Sequence, residues 1–203
     1  MQIVVISPES ADPREAGAID GLFAAGLEHY HVRKPAWTGA ELESWLKRLP
    51  QGWRKRLILH GHPEIAASLG LGGHHDRDRA DNPTPAGFSR SCHDLASLER
   101  HLPAYRAILF GPLFPSISKP GYGPAPGFPW EELRALLAGT RPEPRARVLA
   151  IGGVSADRLA RCRDLGFDGA AVLGAVWNAP DPVNAYVAIR DAAAKLEGAR
   201  HAA

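Results

Sequence analysis

The chain has 203 residues, 45% of them hydrophobic and 23% charged, with a formal net charge of +2. That length suits one domain with a sizeable core. The near-neutral charge, without a Lys/Arg block, argues against a nucleic-acid partner or an acidic membrane surface, and no apolar run approaches the length that spans a bilayer. Cys92 and Cys162 stand far apart without a CxxC pattern, which fits a reducing compartment. The start, MQIVVISPES, has no basic segment followed by a long apolar one. A cytoplasmic protein is the expectation.

In chain order, Gln2–Ser7 is β-branched and strand-like. Glu15–Leu27 has helical spacing, with Ile19, Leu22, Phe23 and Leu27 on one face. His29–Lys34 alternates with period two, as a strand does. Thr38 and Glu41 have the spacing of a capping box, opening a helix through Leu42, Trp45, Leu46 and Leu49. Arg56–His60 reads as a strand, Pro63–Leu69 as a short helix and Leu71–His75 as a weak strand. The polar stretch 75–85 reads as a loop in place of a full helix. Gly87–Cys92 is a strand, and Asp94 caps a helix to Leu102. Arg106–Gly111 is a strand. Pro129–Leu137 is a helix with proline early, where it is tolerated. Arg147–Ile151 is a strand, Ser155 caps the helix Ala156–Leu165, Phe167–Leu173 is a strand, and Pro182–Leu196 is the last helix before a frayed tail.

Eight strands, most followed by a helix, imply a parallel sheet covered by helices. The expected fold is α/β, a single small (β/α)8 TIM barrel over residues 1–203. A doubly wound open sheet is the runner-up, but no GxGxxG follows the first strand.

Such barrels build their sites at the C-terminal strand ends. Polar residues gather there: His31, Arg33 and Lys34 after strand two, His60 and His62 after strand three, His74 and His75 after strand four. Ser91 and His93 follow strand five, and Ser116, Ser118 and Lys119 follow strand six. Gly152 and Gly153 end strand seven and Gly174 ends strand eight. Glycine allows close backbone approach, and backbone N–H groups near a helix start suit an anion. These three glycines therefore read as a phosphate cradle, with Arg33 and Lys119 adding positive charge. The period-two pairs His29/His31 and His60/His62 can each share a strand face. Without HExxH or a carboxylate at ligand spacing, they read as proton-transfer groups, and no metal ligand is assigned.

Several colinear stretches together resemble the thiamine phosphate synthase/TenI superfamily. YHVRK (Tyr30–Lys34) resembles its Q-L-R-x-K motif, SRSCHDLASLE its G-x-S-x-H segment, and GPLFPSISKPGYGP its G-P-x-F-P-T-x-T-K loop. VLAIGGVSADRLARCRDLGFDGAAVLGAV resembles its strand-seven and strand-eight region. The resemblance implies a (β/α)8 barrel. It implies that Arg33 and Lys119 contact a diphosphate or carboxylate, that Ser116 and Ser118 replace loop threonines, and that Gly152, Leu173 and Gly174 hold a thiazole phosphate. The loop at 115–124 would act as a lid.

The synthases couple a pyrimidine diphosphate to a thiazole phosphate with magnesium. Their metal carboxylates fall on Gly61 of the His60–Gly61 pair and near Asp76 or Asp78, out of register. The synthase glutamine is His31, and the lysine ending the strand-two motif falls on Pro35, with Lys34 one place early. These departures lie closer to the TenI branch, whose tautomerases shift a proton on thiazole carboxylate phosphate without metal. The TenI histidine after strand six is replaced by Pro112, so His31 and His60 are the candidates for proton transfer, with His93 third. The expectation is a TenI-type thiazole tautomerase without a cofactor. The alternatives are a synthase using Mg2+ and a non-catalytic sensor of thiazole or thiamine phosphate. The partner is a small thiazole phosphate, not nucleic acid or membrane. Trp37, Trp53 and Trp177, expected on the surface, could seed a homo-oligomer.

Overall fold

The computed structural model describes residues 1–76, 88–117, 121–139 and 146–201. Eight parallel strands close into a barrel in chain order: β1 (Gln2–Ile6), β2 (Tyr30–Val32), β3 (Leu57–His60), β4 (Gly73–Asp76), β5 (Ser89–Cys92), β6 (Ala107–Phe110), β7 (Arg147–Ile151) and β8 (Gly169–Val172). The helices are α1 (Glu15–Ala24), α2 (Gly39–Arg48), α3 (Pro63–Ser68), α4 (Leu95–His101), α5 (Trp130–Ala138), α6 (Leu159–Asp164), α7 (Gly174–Trp177) and α8 (Pro182–His201). Among the described residues, no helix is long and apolar enough to cross a membrane.

Strands buried on both faces read as near-continuous apolar runs. β6 (AILF) and β8 (GAAV) are of that kind and wholly buried. β4 (GHHD) and β5 (SRSC) are not, although they are almost as buried. The barrel interior is therefore split. Val4, Ile6, Leu109, Leu149 and Ala171 form an apolar half. Register carries the same inner face through Ile6↔His31, His60↔His75, His75↔Ser89 and Ser91↔Leu109. The half built by β2 to β5 is thus lined by imidazoles and hydroxyls. Outside, the helices close a second and larger apolar layer, with Ile19, Leu22, Leu42, Leu46, Leu98, Leu133 and Leu159 at 2% exposure or less. Each such burial contributes about 1.5–3 kcal/mol.

Several boundaries differ from the sequence reading for physical reasons. α1 stops at Ala24 because Gly26 takes φ +91°, with Leu27 N–H bonded to Leu22 C=O and Gly26 N–H to Phe23 C=O. This is a Schellman turn, and it returns Leu27 to the core outside the helix. The Thr38–Glu41 capping box is present on both sides. Asp94 accepts from Ser97 N–H as the cap of α4. Ser155 does not cap: its hydroxyl donates to Asp157, 2.6 Å away, and a 3-10 turn (Ala156–Arg158) precedes α6. Gln51–Arg56 forms a 3-10 turn and α7 a short helix, both unforeseen. The tail expected to fray continues α8 to His201. Of the loop expected at 75–85, His75 and Asp76 belong to β4 and the rest lies outside the described residues. Trp177 is buried, its indole N–H donating to Ile6 C=O at 2.8 Å, while Trp37 and Trp53 pack against the core. The exposed tryptophan surface expected from the sequence is absent at these three positions.

Candidate active site

Two adjoining cavities occupy the C-terminal mouth and share Arg33, Ser91 and His93. One, of about 350 Å³, is lined also by Lys34, Pro35, Trp37, His60, His62 and His75. The other, of about 470 Å³, is lined by Ile6, Glu9, Ser116, Ile117, Tyr122, Ile151, Gly152, Gly153, Leu173 and Gly174 among others. A larger cavity, of about 850 Å³, opens between Met1, Arg134, Arg147 and Arg163 at the opposite, N-terminal end. Barrel chemistry is carried by the other face.

The histidine end is built by β2, β3 and β4. His31 Nδ1 lies 3.1 Å from His60 Nε2. The rings of His60 and His75 stack at 4.0 Å and 24°. Ser89 Oγ and Ser91 Oγ each lie 2.8 Å from one nitrogen of His75. Burial pushes the His31 imidazole down to about 3 and the His75 imidazole well below its ordinary value, with nearby positive charge adding to the effect. Both are neutral at neutral pH. His31, 1% exposed, lines neither mouth cavity; it faces a lower cavity shared with His29. It meets the mouth through His60, which is half-buried and lines the smaller cavity. His62 lies beyond β3 in a left-handed turn, φ 50°, paired with Glu64. His93 Nδ1 contacts the carbonyl of Gly111.

The glycine end is built by β7 and β8. Gly152 has φ +92° and Gly153 φ +64°, both costly for any other residue. A Cβ on Gly153 would sit 2.2 Å from Pro115 C=O, and one on Gly152 2.7 Å from the Pro112 Cα. The glycines thus let the loop after β6 lie directly on the strand-seven turn. Arg158 holds that contact, donating to Gly153 C=O at 2.6 Å with its guanidinium 5.2 Å from the Phe114 ring centre. Leu173 and Gly174 begin α7, where the first N–H groups of a helix lack partners within it.

Arg33 reaches the mouth, and its guanidinium bonds to Glu9. The Ser7 hydroxyl fixes it from below, accepting from Arg33 N–H at 2.8 Å. Lys34 turns away from solvent. Its ammonium, with no exposed side-chain surface, donates to Glu15 at 2.6 Å and to the carbonyls of Pro8 and Ser10 at 2.7 and 3.0 Å. It is an anchor for the loop after β1, not a ligand group.

Of the residues singled out in the sequence, the structure brings Arg33, His60, Ser91, Ser116, Gly152, Gly153, Leu173 and Gly174 to the mouth, and His31 directly beneath it. Ser118 and Lys119 lie outside the described residues. Sequence reasoning placed His75 at the strand ends but gave it no role, and did not single out Ser89 or Glu9. The alternation within GHHD was the available signal: His75 shares the inward face of its registered neighbours His60 and Ser89, while Asp76 faces out to Tyr105, whose hydroxyl donates to it at 2.7 Å.

The sequence profile of the family described as thiamine monophosphate synthase (TMP-TENI) matches residues 3–176. A thiamine-phosphate synthase of Chromobacterium violaceum is 30% identical over 201 residues, covering 92% of this chain and 93% of that one. A thiamine-phosphate synthase of Methylobacillus flagellatus is 28% identical, with 88% of each chain covered. Among solved structures, a thiamine phosphate pyrophosphorylase from Bacteroides thetaiotaomicron superimposes with a TM-score of 0.75 at 26% identity, over 95% of this chain and 98% of that one.

Proposed function

This chain belongs to the thiamine monophosphate synthase (TMP-TENI) family, and from that premise we propose that it is an enzyme of thiamine biosynthesis that moves a proton on a thiazole phosphate, as the TenI-type tautomerases do. One observation carries the reading. The reacting end of the mouth is lined by imidazoles, the Ser91 hydroxyl and the basic residues Arg33 and Lys34, where magnesium-dependent coupling of a diphosphate calls for carboxylates.

Magnesium does not fit the described residues. A hard dication takes oxygen ligands. The position after β3 holds Gly61, the Asp76 carboxylate is turned outward to Tyr105, Glu9 is bonded to Arg33, and Asp78 lies outside the described residues.

The phosphate would lie over Gly152, Gly153 and Gly174, facing backbone N–H groups. Arg33 would present its remaining N–H donors to the substrate carboxylate or phosphate. Ile117 and Tyr122, 40% and 51% exposed, leave an apolar rim for the ring. His60 is the proton-transfer group, since it lines the cavity and His31 does not. His31 is a positioning residue. Neutral through burial, it holds the His60 ring at 3.1 Å without competing for the proton. His60 takes a proton from one ring position and returns it to another, so nothing is gained or lost overall.

The second reading is the synthase coupling, favoured by the names of the relatives. A paired assay separates the two. Isomerisation of thiazole carboxylate phosphate without added metal, lost in His60→Ala, supports the proposal. Release of pyrophosphate from pyrimidine diphosphate and thiazole phosphate, only with magnesium, overturns it in favour of the synthase.

A further inference from the structure

We propose that His31, His60 and His75 form a binding site for one transition-metal dication of the zinc or cobalt type. It does not rest on the reading above: with an ion bound, His60 is a ligand and no longer a proton-transfer group, so the tautomerase reading describes the metal-free chain.

Three neighbouring strands each deliver one imidazole to the same point inside the barrel. One nitrogen from each of the three lies within 4.8 Å of the others. The 3.1 Å between His31 Nδ1 and His60 Nε2 is close to the separation of two ligand nitrogens around tetrahedral zinc, about 3.3 Å from the usual bond lengths. The His75 nitrogen lies within 4.8 Å of both and draws in by at most about 1.5 Å to complete the set.

The surroundings match those of a ligand set. Metal-bound histidines are oriented by a second contact on the nitrogen that does not ligate. Whichever nitrogen of His75 ligates, the other keeps a serine hydroxyl, from Ser89 or Ser91. The strand register that pairs His60 with His75, and His75 with Ser89, makes this arrangement part of the barrel wall. One side is open, because His60 and His75 line the 350 Å³ cavity. Three protein ligands beside an open cavity are the pattern of a reactive site, in which water or substrate completes the coordination. The donors also select the ion. Imidazole suits zinc, copper, nickel and iron, whereas magnesium and calcium prefer oxygen.

The test uses the whole chain, stripped with a chelator and titrated with Co2+ alone, following visible absorption. Zn2+ is then added in competition, and bound metal is counted by elemental analysis. The expected result is one ion per chain, with Zn2+ displacing Co2+. His60→Gln, at the half-buried position, weakens binding by more than about tenfold, and His62→Gln, whose ring pairs with Glu64 outside the cluster, leaves it unchanged. Circular dichroism on each variant distinguishes a lost site from a lost fold, and His60→Gln is the variant chosen to keep the barrel intact. Absence of saturable binding overturns the proposal. So does binding that survives His60→Gln in a folded chain, or that is lost with His62→Gln. Because the readout is metal content and not turnover, a failure here leaves the tautomerase assay to stand or fall by itself.

Discussion

Replacing Lys34 by methionine keeps the length of the side chain and removes its charge. The Lys34 ammonium sits on three acceptors, Glu15 and the carbonyls of Pro8 and Ser10, and lies 5.2 and 5.8 Å from the ring centres of Trp37 and Trp45. In Lys34→Met the Glu15 carboxylate, its side chain 3% exposed, keeps the 2.8 Å bond from Tyr30 and loses its counter-charge. Breaking a buried pair from one side costs about 3–5 kcal/mol, against a total stability of about 5–15 kcal/mol. With a urea dependence of about 2 kcal/mol per molar, the unfolding midpoint falls by about 1.5–2.5 M. Burial already lifts the Glu15 carboxyl above its ordinary range, opposed by Lys34 and Tyr30; without Lys34 it rises further. A carboxyl raised in the folded state binds more protons there than in the unfolded chain. Stability therefore falls as pH rises through that window, and the deficit of Lys34→Met is largest near neutrality and shrinks on acidification. Adding Glu15→Gln recovers much of the loss, because the stranded charge is gone. Urea titrations at several pH values test this. A Lys34→Met chain within about 1 kcal/mol of the parent at pH 7, or a double variant that costs the sum of the singles, would refute the reasoning.

Gly153→Ala places a methyl 2.2 Å from Pro115 C=O at φ +64°; calorimetry with thiazole phosphate is expected to show affinity down by more than about tenfold, as the loop after β6 lifts from the cradle. Thr38→Ala removes the hydroxyl that caps Glu41 N–H and lowers stability by about 1 kcal/mol, read as a drop in thermal midpoint. Burial pushes the Cys162 thiol up to about 12, so at pH 8 it carries almost no thiolate; peptide mapping after iodoacetamide should find Cys162 unmodified in the folded chain and alkylated in denaturant.

The barrel was legible in the sequence because most of its strands announce themselves. QIVVI, RLILH and RVLAI are apolar runs between helices of plain amphipathic spacing, and a closed ring follows from their number. β4 was weaker, since GHHD carries inward polar groups in place of an apolar run. Only the register explains them, by setting His75 between two serines. The mouth residues were legible from position, as strand ends. Their pairings were not: Arg33 with Glu9, and Lys34 turned into the wall, depend on contacts between loops that no local spacing encodes. Ser155 misled because its hydroxyl had a nearer partner in Asp157 than the helix N–H groups.

The two unlike halves of the barrel interior have a consequence for how this sequence can drift. Around Val4, Leu109 and Leu149 the contacts are non-directional, so one aliphatic residue can stand in for another if volume is kept. Around His31, His60, His75, Ser89 and Ser91 each contact needs a donor facing an acceptor, and changing one member removes its neighbour's contact in the barrel wall. Substitutions should therefore accumulate one at a time on the β6-to-β1 side. On the β2-to-β5 side they should arrive only in compensating pairs, which makes that wall the slower-changing record of what the mouth binds.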